Sequence, residues 1–108
     1  MAPSSSRPST PVPAETLRRI FNEHQYFERV RAGEFKELVI DSHTAPSVAN
    51  QPPGTKSEIA EYRSPTERVA LVHQYKLPNG GIGGSGRPDP KQVLHEGVLY
   101  VLERQRQK

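Results

Sequence analysis

Hydrophobic side chains recur at helical spacing in only one part of the chain, its N-terminal third. Intervals of three and four residues place five side chains on one face of a helix: Leu17, Ile20, Phe21, His24 and Phe27. Gly33 then offers a C-terminal stop, and Arg29 and Arg31 would lie in the last turn, where the helix dipole favours cations. The pattern predicts one amphipathic helix that begins at Ala14.

Alternation of apolar and polar residues predicts two strands in the middle of the chain. The stronger one covers residues 68–77, in which alternate side chains form one apolar face: Val69, Leu71, His73, Tyr75 and Leu77. A weaker strand covers residues 58–63, and Ser-Pro-Thr-Glu at 64–67 supplies a turn between the two. Two such runs around a short polar turn predict an antiparallel hairpin.

The remaining segments carry weaker local signals. Residues 35–40 form a short β-prone run, and residues 43–56 form a long polar connection containing Pro and Gly. Asp89 followed by Pro90 has the chemistry of an N-cap and a first helical residue, so a short helix is predicted through Leu94, closed near Gly97. The run at 98–102 is apolar on both faces, as in a central strand.

These elements predict a single α+β domain. Its N-terminal helix would pack on a small sheet of three or four mostly antiparallel strands, with the short helix before the last strand. A length of 108 residues suits one domain. Residues 1–13, rich in Pro, Ser and Thr, are predicted to be a disordered tail, residues 14–103 the folded domain, and residues 104–108 a basic C-terminal tail.

The basic character of the chain lies at its ends. The formal net charge is +3 and the isoelectric point is about 9.4. Without the four cations and one acid of residues 1–13 and 103–108, 11 cations and 11 acids remain. A nucleic-acid-binding domain concentrates positive charge on one face, and a neutral body argues against that class while leaving nucleic acid open as a ligand.

Composition excludes several other kinds of site. The absence of Cys removes thiolate zinc sites, cysteine nucleophiles and disulfides, and it fits a reducing compartment. No apolar run approaches the roughly 18 residues of a membrane span, and no secretory h-region is present. No H-x-x-x-H or D-x-D spacing is present either. We therefore predict a soluble, cytoplasmic protein with no membrane partner, no metal and no cofactor.

The segment 80–91 contains five of the eight glycines and is the strongest candidate for a binding site. Gly81, Gly83 and Gly86 match G-x-G-x-x-G, but the chain is too short for the dinucleotide-binding unit that this motif requires. A P-loop is excluded as well, because Arg87-Pro88 stands where Lys-Ser/Thr is needed. Glycine amides can nevertheless form an anion nest, with cations nearby. The predicted ligand-binding residues are Gly81, Gly83, Gly84, Ser85, Gly86, Arg87 and Lys91. The alternative is a loop with a structural role alone.

The histidines support a second hypothesis, a compact metal-independent ribonuclease of the toxin type. Such a reaction needs one imidazole that takes a proton and another that gives one. His73 and Arg87 would act together, with His95 or His43 as the further group. Sequence does not show whether these residues converge, and a histidine on the apolar face of a strand, like His73, is more often a hydrogen-bonded core residue than a catalyst.

The C-terminal third carries several short strings in one order. They are His-Gln-Tyr at 73–75, Pro-Asn-Gly at 78–80, Ile-Gly-Gly-Ser-Gly at 82–86, Pro-Asp-Pro-Lys at 88–91 and Gly-Val-Leu-Tyr at 97–100. With these strings the segment from Val69 to Tyr100 resembles a small family of uncharacterised bacterial and phage-associated proteins. The resemblance implies a prokaryotic or mobile-element origin, and it brings no activity, cofactor or site residue.

The leading prediction is a non-enzymatic binding module whose loop at 80–91 contacts an anionic or protein partner. The ribonuclease is the alternative from a different class. A third hypothesis is an oligomeric subunit that pairs through its helix or an edge strand, since only 32% of residues are hydrophobic and the core must be small.

Overall fold

A computed structural model describes residues 8–104, which form one six-stranded mixed sheet and two short helices. The elements are β1 (Ser9–Val12), α1 (Ala14–Glu23), α2 (Tyr26–Arg31), β2 (Lys36–Thr44), β3 (Lys56–Arg63), β4 (Arg68–Lys76), β5 (Asp89–His95) and β6 (Val98–Leu102). A single 3-10 turn, Ser47–Ala49, lies in the connection from β2 to β3. The predicted α+β domain, with one helix on three or four strands, is wrong because the sheet is larger and the helical layer smaller.

The strand order is β1-β6-β5-β4-β3-β2. Strands β2 to β6 form an antiparallel meander, and the predicted hairpin of residues 58–77 is confirmed as β3 and β4. Strand β1 is parallel to β6, with Ser9 opposite Leu99 and Val12 opposite Leu102. Part of the segment predicted as a disordered tail is therefore a strand. The rest of that segment, residues 1–7, and the tail residues 105–108 lie outside the described residues.

The segment from Asp89 to Leu94, predicted as a short helix, is strand β5. Its backbone pairs with β4 on one side and β6 on the other, and fully buried Val93 contributes to the core. Pro90 is accommodated because the register between β4 and β5 shifts there, and Pro is tolerated at such irregularities. Gly97 closes no helix. With Glu96 it forms a turn between β5 and β6 in which both residues have positive φ.

The predicted N-terminal helix is present but divided. Gln25 adopts a left-handed conformation, with φ of 58°, and separates α1 from α2. The turn redirects the chain so that Tyr26 joins Phe21 in the core, their ring centroids 5.8 Å apart. None of the helices among residues 8–104 is long and apolar enough to cross a membrane.

The core lies between the helices and one face of the sheet. α1 packs on β5 and β6. The buried hydrophobic residues are Leu17, Phe21, Tyr26, Phe35, Ala60, Tyr62, Val69, Ala70, Val72 and Val93. The helices cover only this face, so one side of the sheet carries nearly all of the core.

Strand β4 faces the core with a different set of residues from the one predicted. Ala70, Val72 and Gln74 share the covered face, opposite Tyr62, Ala60 and Glu58 of β3. Small Ala70 and Val72 leave room for the aromatic rings that the helices bring to the core. His73 and Tyr75, predicted on the apolar face, therefore lie on the open side of the sheet.

Candidate functional site

The glycine-rich segment folds back along the end of β4, where β5 has not yet begun. The amide of Gly83 donates to the carbonyl of Tyr75 at 2.8 Å, and Lys76 and Ile82 form an isolated bridge. A tight turn reverses the chain, with the Leu77 amide donating to the Gly81 carbonyl at 2.8 Å. The segment thus occupies the position of a neighbouring strand beside β4.

A cleft of about 360 Å³ lies between this loop, α1 and β4. Five of the residues singled out from the sequence line it, namely His73, Gly83, Gly84, Ser85 and Arg87. Five residues that sequence reasoning did not select as site residues line it too: Arg18, Gln74, Tyr75, Pro88 and Asp89. Gly81, Gly86 and Lys91 do not line the cleft. The structure therefore brings together most, but not all, of the predicted ligand-binding set.

The loop presents two backbone donors at the cleft. Gly84 has φ of 67°, a left-handed conformation that glycine adopts without strain. The amides of Gly84 and Ser85 donate to no protein acceptor within residues 8–104, whereas the next two amides, of Gly86 and Arg87, are bonded within the loop. Two N–H groups are therefore available to a ligand.

Arg87 anchors the loop to the helical layer. Its Nη1 and Nη2 donate to the two carboxylate oxygens of Glu28 at 2.7 and 3.2 Å, and its Nε donates to Asn22 Oδ1 at 3.1 Å. The guanidinium carbon lies 5.3 Å from the centroid of the Phe27 ring. The hydrogen bonds from Arg87 lower the pKa of the Glu28 carboxyl. The pair is bidentate, so it fixes the loop in direction as well as in distance.

Asp89 is shared between two cations at the first residue of β5. Its Oδ1 lies 3.7 Å from Arg18 Nη1, and its Oδ2 lies 3.1 Å from Lys91 Nζ. The Arg18 side chain is 52% exposed, so its remaining N–H groups reach solvent. Since Glu28 already neutralises Arg87, one carboxylate faces two cations here. Of these two cations, Arg18 lines the cleft and Lys91 does not.

Gln74 is the buried polar residue of the site, with 2% of its surface exposed. Its Nε2 donates to Glu58 at 2.9 Å and to Glu37 at 3.1 Å. The reverse orientation of the amide would place its oxygen against both carboxylates, so the observed orientation is the favourable one. Its Oε1 accepts no hydrogen bond from the described residues. The alternation of β4 already placed Gln74 with Ala70 and Val72, and a polar residue on that face is the signal that sequence reasoning missed.

His73 lies on the open face of the sheet and is hydrogen-bonded there. Its Nε2 is 2.8 Å from the hydroxyl of Ser57, and its ring meets the Tyr75 ring edge-on at 4.8 Å. Burial, with a smaller contribution from Lys91, lowers the pKa of His73 despite the opposing effect of Asp89. The neutral imidazole can accept the hydrogen of the Ser57 hydroxyl. Within residues 8–104, no carboxylate is hydrogen-bonded to this ring.

The other three histidines do not line the cleft. His43 shares the open face, opposite Ser57, but its side chain is 61% exposed and lies 3.8 Å from Asp41. His95 lies at the far end of β5, where its ring stacks on that of His24 at 3.9 Å. His24, which shares the predicted helix face with Leu17 and Phe21, is exposed, whereas those two are buried. The structure does not bring His73, His95 and Arg87 to one site.

Protein metal sites are built from groups of His and carboxylate side chains when Cys is absent. Across the described part of the chain, no three of them are grouped as a metal ion requires. The chain matches no protein-family model, no curated protein and no solved structure. The geometry of the cleft is therefore the basis for any functional proposal.

Proposed function

We propose that this protein is a small non-enzymatic binding module that takes an anionic ligand in the cleft between α1 and the loop at 80–91. The observation that carries the proposal is the presence of three donor groups at one cleft: the free amides of Gly84 and Ser85, and the guanidinium of Arg18. Successive loop amides form concavities that bind anions, and Arg adds a charged donor suited to carboxylate or phosphate.

The ion pair of Arg87 with Glu28 supports the proposal through preorganisation. A glycine-rich loop that ordered only on binding would spend part of the interaction energy on lost conformational freedom. Arg87 holds the loop against both helices in the absence of ligand. The amides of Gly84 and Ser85 are thereby kept beside the cleft.

The dimensions of the cleft favour a small ligand over a protein surface. Ligand sites commonly occupy roughly 300–1,000 Å³, and this cleft, at about 360 Å³, lies at the lower end of that range. Within the hypothesis of an anionic or protein partner, we therefore favour a small anion-bearing molecule.

The proposal is tested by titrating ¹⁵N-labelled protein with inorganic phosphate and with acetate. We expect the amide resonances of Gly84 and Ser85 to shift more than those of the rest of the loop. Arg18→Gln removes the charged donor and is expected to weaken binding about tenfold, since one charge-assisted hydrogen bond contributes roughly 1.5–3 kcal/mol.

Arg19→Gln is the matched control, because Arg19 is the exposed neighbour of Arg18 on α1 and does not line the cleft. Equal loss of affinity in both variants would indicate a general charge effect. Unmoved resonances of Gly84 and Ser85 at saturating phosphate and acetate would reject the anion site.

A further inference from the structure

The cleft contains an unsatisfied acceptor as well as unsatisfied donors. Gln74 Oε1 belongs to a side chain that is 2% exposed, and it accepts no hydrogen bond within residues 8–104. Buried polar atoms almost always have a hydrogen-bond partner. Because Gln74 Oε1 has none among the described residues, we expect its donor to be a molecule bound in the cleft. Asp89 adds a carboxylate to the same lining.

The groups behind Gln74 strengthen this acceptor. Its Nε2 donates to both Glu37 and Glu58, which polarises the amide and increases the negative charge on Oε1. The same two carboxylates prevent the amide from turning to offer its N–H groups to the cleft. On the β4 side of the cleft the unpartnered group is therefore an acceptor, and on the loop side the unpartnered groups are donors.

We propose that the ligand is a small zwitterion, with a primary ammonium group on the side of Gln74 and Asp89 and an anionic group on the side of the loop. This inference rests on the proposed function. An ammonium group satisfies Gln74 Oε1 and takes the place of Arg18 beside Asp89 Oδ1 once the anionic group engages Arg18, which Asp89 otherwise faces at 3.7 Å. Lys91 stays paired with the other oxygen of Asp89. A volume of about 360 Å³ accommodates a molecule of the size of an amino acid or an aminoalkyl phosphate.

The test compares ligands that share an anionic group and differ in the ammonium group. Glycine is paired with acetate, and O-phosphoethanolamine with ethyl phosphate, each titrated calorimetrically into the wild-type protein. We expect at least one ammonium-bearing member to bind about tenfold or more tightly than its partner, as a hydrogen bond from a charged donor implies.

Gln74→Met removes the acceptor, together with the Nε2 donor to Glu37 and Glu58, while keeping a side chain of similar length. In this variant the ratio of the affinity for the ammonium-bearing ligand to the affinity for its partner is expected to fall towards one. Gln92→Met is the matched control, because Gln92 lies outside the cleft, where its Oε1 accepts from Arg68 at 3.4 Å. The control should retain the wild-type ratio.

The outcomes separate the two proposals. If acetate and ethyl phosphate bind as tightly as their ammonium-bearing partners, the zwitterion is rejected and the anion site stands. If no member of either pair binds, the proposed function itself fails. A wild-type ratio that survives in folded Gln74→Met protein would reject Gln74 as the recognising group. Should that variant not fold, the comparison of pairs on the wild-type protein still decides.

Discussion

At the scale of single residues, nearly every charged side chain near the cleft already has a partner of opposite charge. Arg87 is held by Glu28, and Arg18 and Lys91 share Asp89. Exposed ion pairs contribute only about 0–1 kcal/mol each to stability, so their main effect here is to fix positions. Gln74 is the contrasting case, since it is buried and only its nitrogen is satisfied.

His73 gives a prediction that depends on pH. Its pKa in the folded protein is lowered, mainly by burial, so the unfolded chain takes up the proton first as the pH falls. Above the pKa of His73 in the unfolded chain, about 6.5, its contribution to the free energy of unfolding is fully present. That contribution is lost as the pH decreases towards and through the lower pKa of the folded protein. We expect His73→Gln to lose less stability between pH 7.5 and pH 5 than the wild-type protein does.

The measurement is urea denaturation at both pH values. His43→Gln serves as the control, because His43 is exposed on the same face and is not hydrogen-bonded to Ser57. An identical loss of stability in His73→Gln and wild-type protein would show that His73 does not contribute to the pH dependence.

At the scale of elements, the loop at 80–91 is held in place by both helices and by β4. Arg87 ties it to α1 through Asn22 and to α2 through Glu28, while the Gly83 amide ties it to β4. The break between α1 and α2 at Gln25 allows Asn22 and Glu28 to approach the same guanidinium. The position of the loop therefore depends on the helical corner, some sixty residues earlier in the chain.

Glu28→Gln is expected to loosen the loop without unfolding the protein. The amide side chain removes the charge that the Arg87 guanidinium faces, so the amide protons of Gly83 and Gly86 should exchange several-fold faster. The free energy of unfolding should change by no more than about 1 kcal/mol. Hydrogen exchange followed by NMR measures the exchange rates of these amides, and urea denaturation measures the free energy of unfolding.

Glu34→Gln is the matched control for this prediction. Glu34 is exposed and paired with Arg29 at 2.6 Å, away from the loop. If exchange at Gly83 accelerated equally in both variants, the effect would not arise from the anchor at Arg87.

At the scale of the whole molecule, the helices among residues 8–104 cover the sheet on one face only. Antiparallel sheets can present their other face to water, and here Glu61 lies on it with hydrogen bonds from Arg68 and Arg63. Strand β2 forms one edge, with all nine residues exposed. Charged residues and a register shift beside Ile40 are features that discourage pairing of an edge with another chain. The hypothesis of an oligomeric subunit stays a prediction.

A single core predicts cooperative unfolding. Phe21 is fully buried between Tyr26 and Tyr62, so it joins the helices to the sheet. Phe21→Ala should lower the free energy of unfolding by about 3–5 kcal/mol. The transitions monitored by far-ultraviolet circular dichroism and by tyrosine fluorescence should still coincide.

Leu38→Ala is the control for this substitution, since Leu38 is 49% exposed on the edge strand. Leu38→Ala should lower the free energy of unfolding by less than about 1 kcal/mol. Separate transitions for the two probes in the wild-type protein would contradict a single cooperative core.

Sequence predicted those features that depend on neighbouring residues. The hairpin of β3 and β4 follows from alternation and from a Ser-Pro-Thr-Glu turn, which closes with a bond from the Ser64 amide to the Glu67 carbonyl. The start of α1 at Ala14 and the glycine-rich excursion after β4 were readable for the same reason. Four loop residues that line the cleft, Gly83, Gly84, Ser85 and Arg87, came from composition alone.

Tertiary structure decided the features that depend on distant partners. Ser9–Val12 is a strand because β6 lies beside it, ninety residues later, and Asp89–His95 is a strand because β4 and β6 flank it. The same pairing sets which face of β4 is covered. It thereby buries Gln74 at the cleft and leaves His73 outside the core. Local patterns report short-range preferences of the backbone, whereas hydrogen bonds between strands and burial of one face are settled only when the whole sheet assembles.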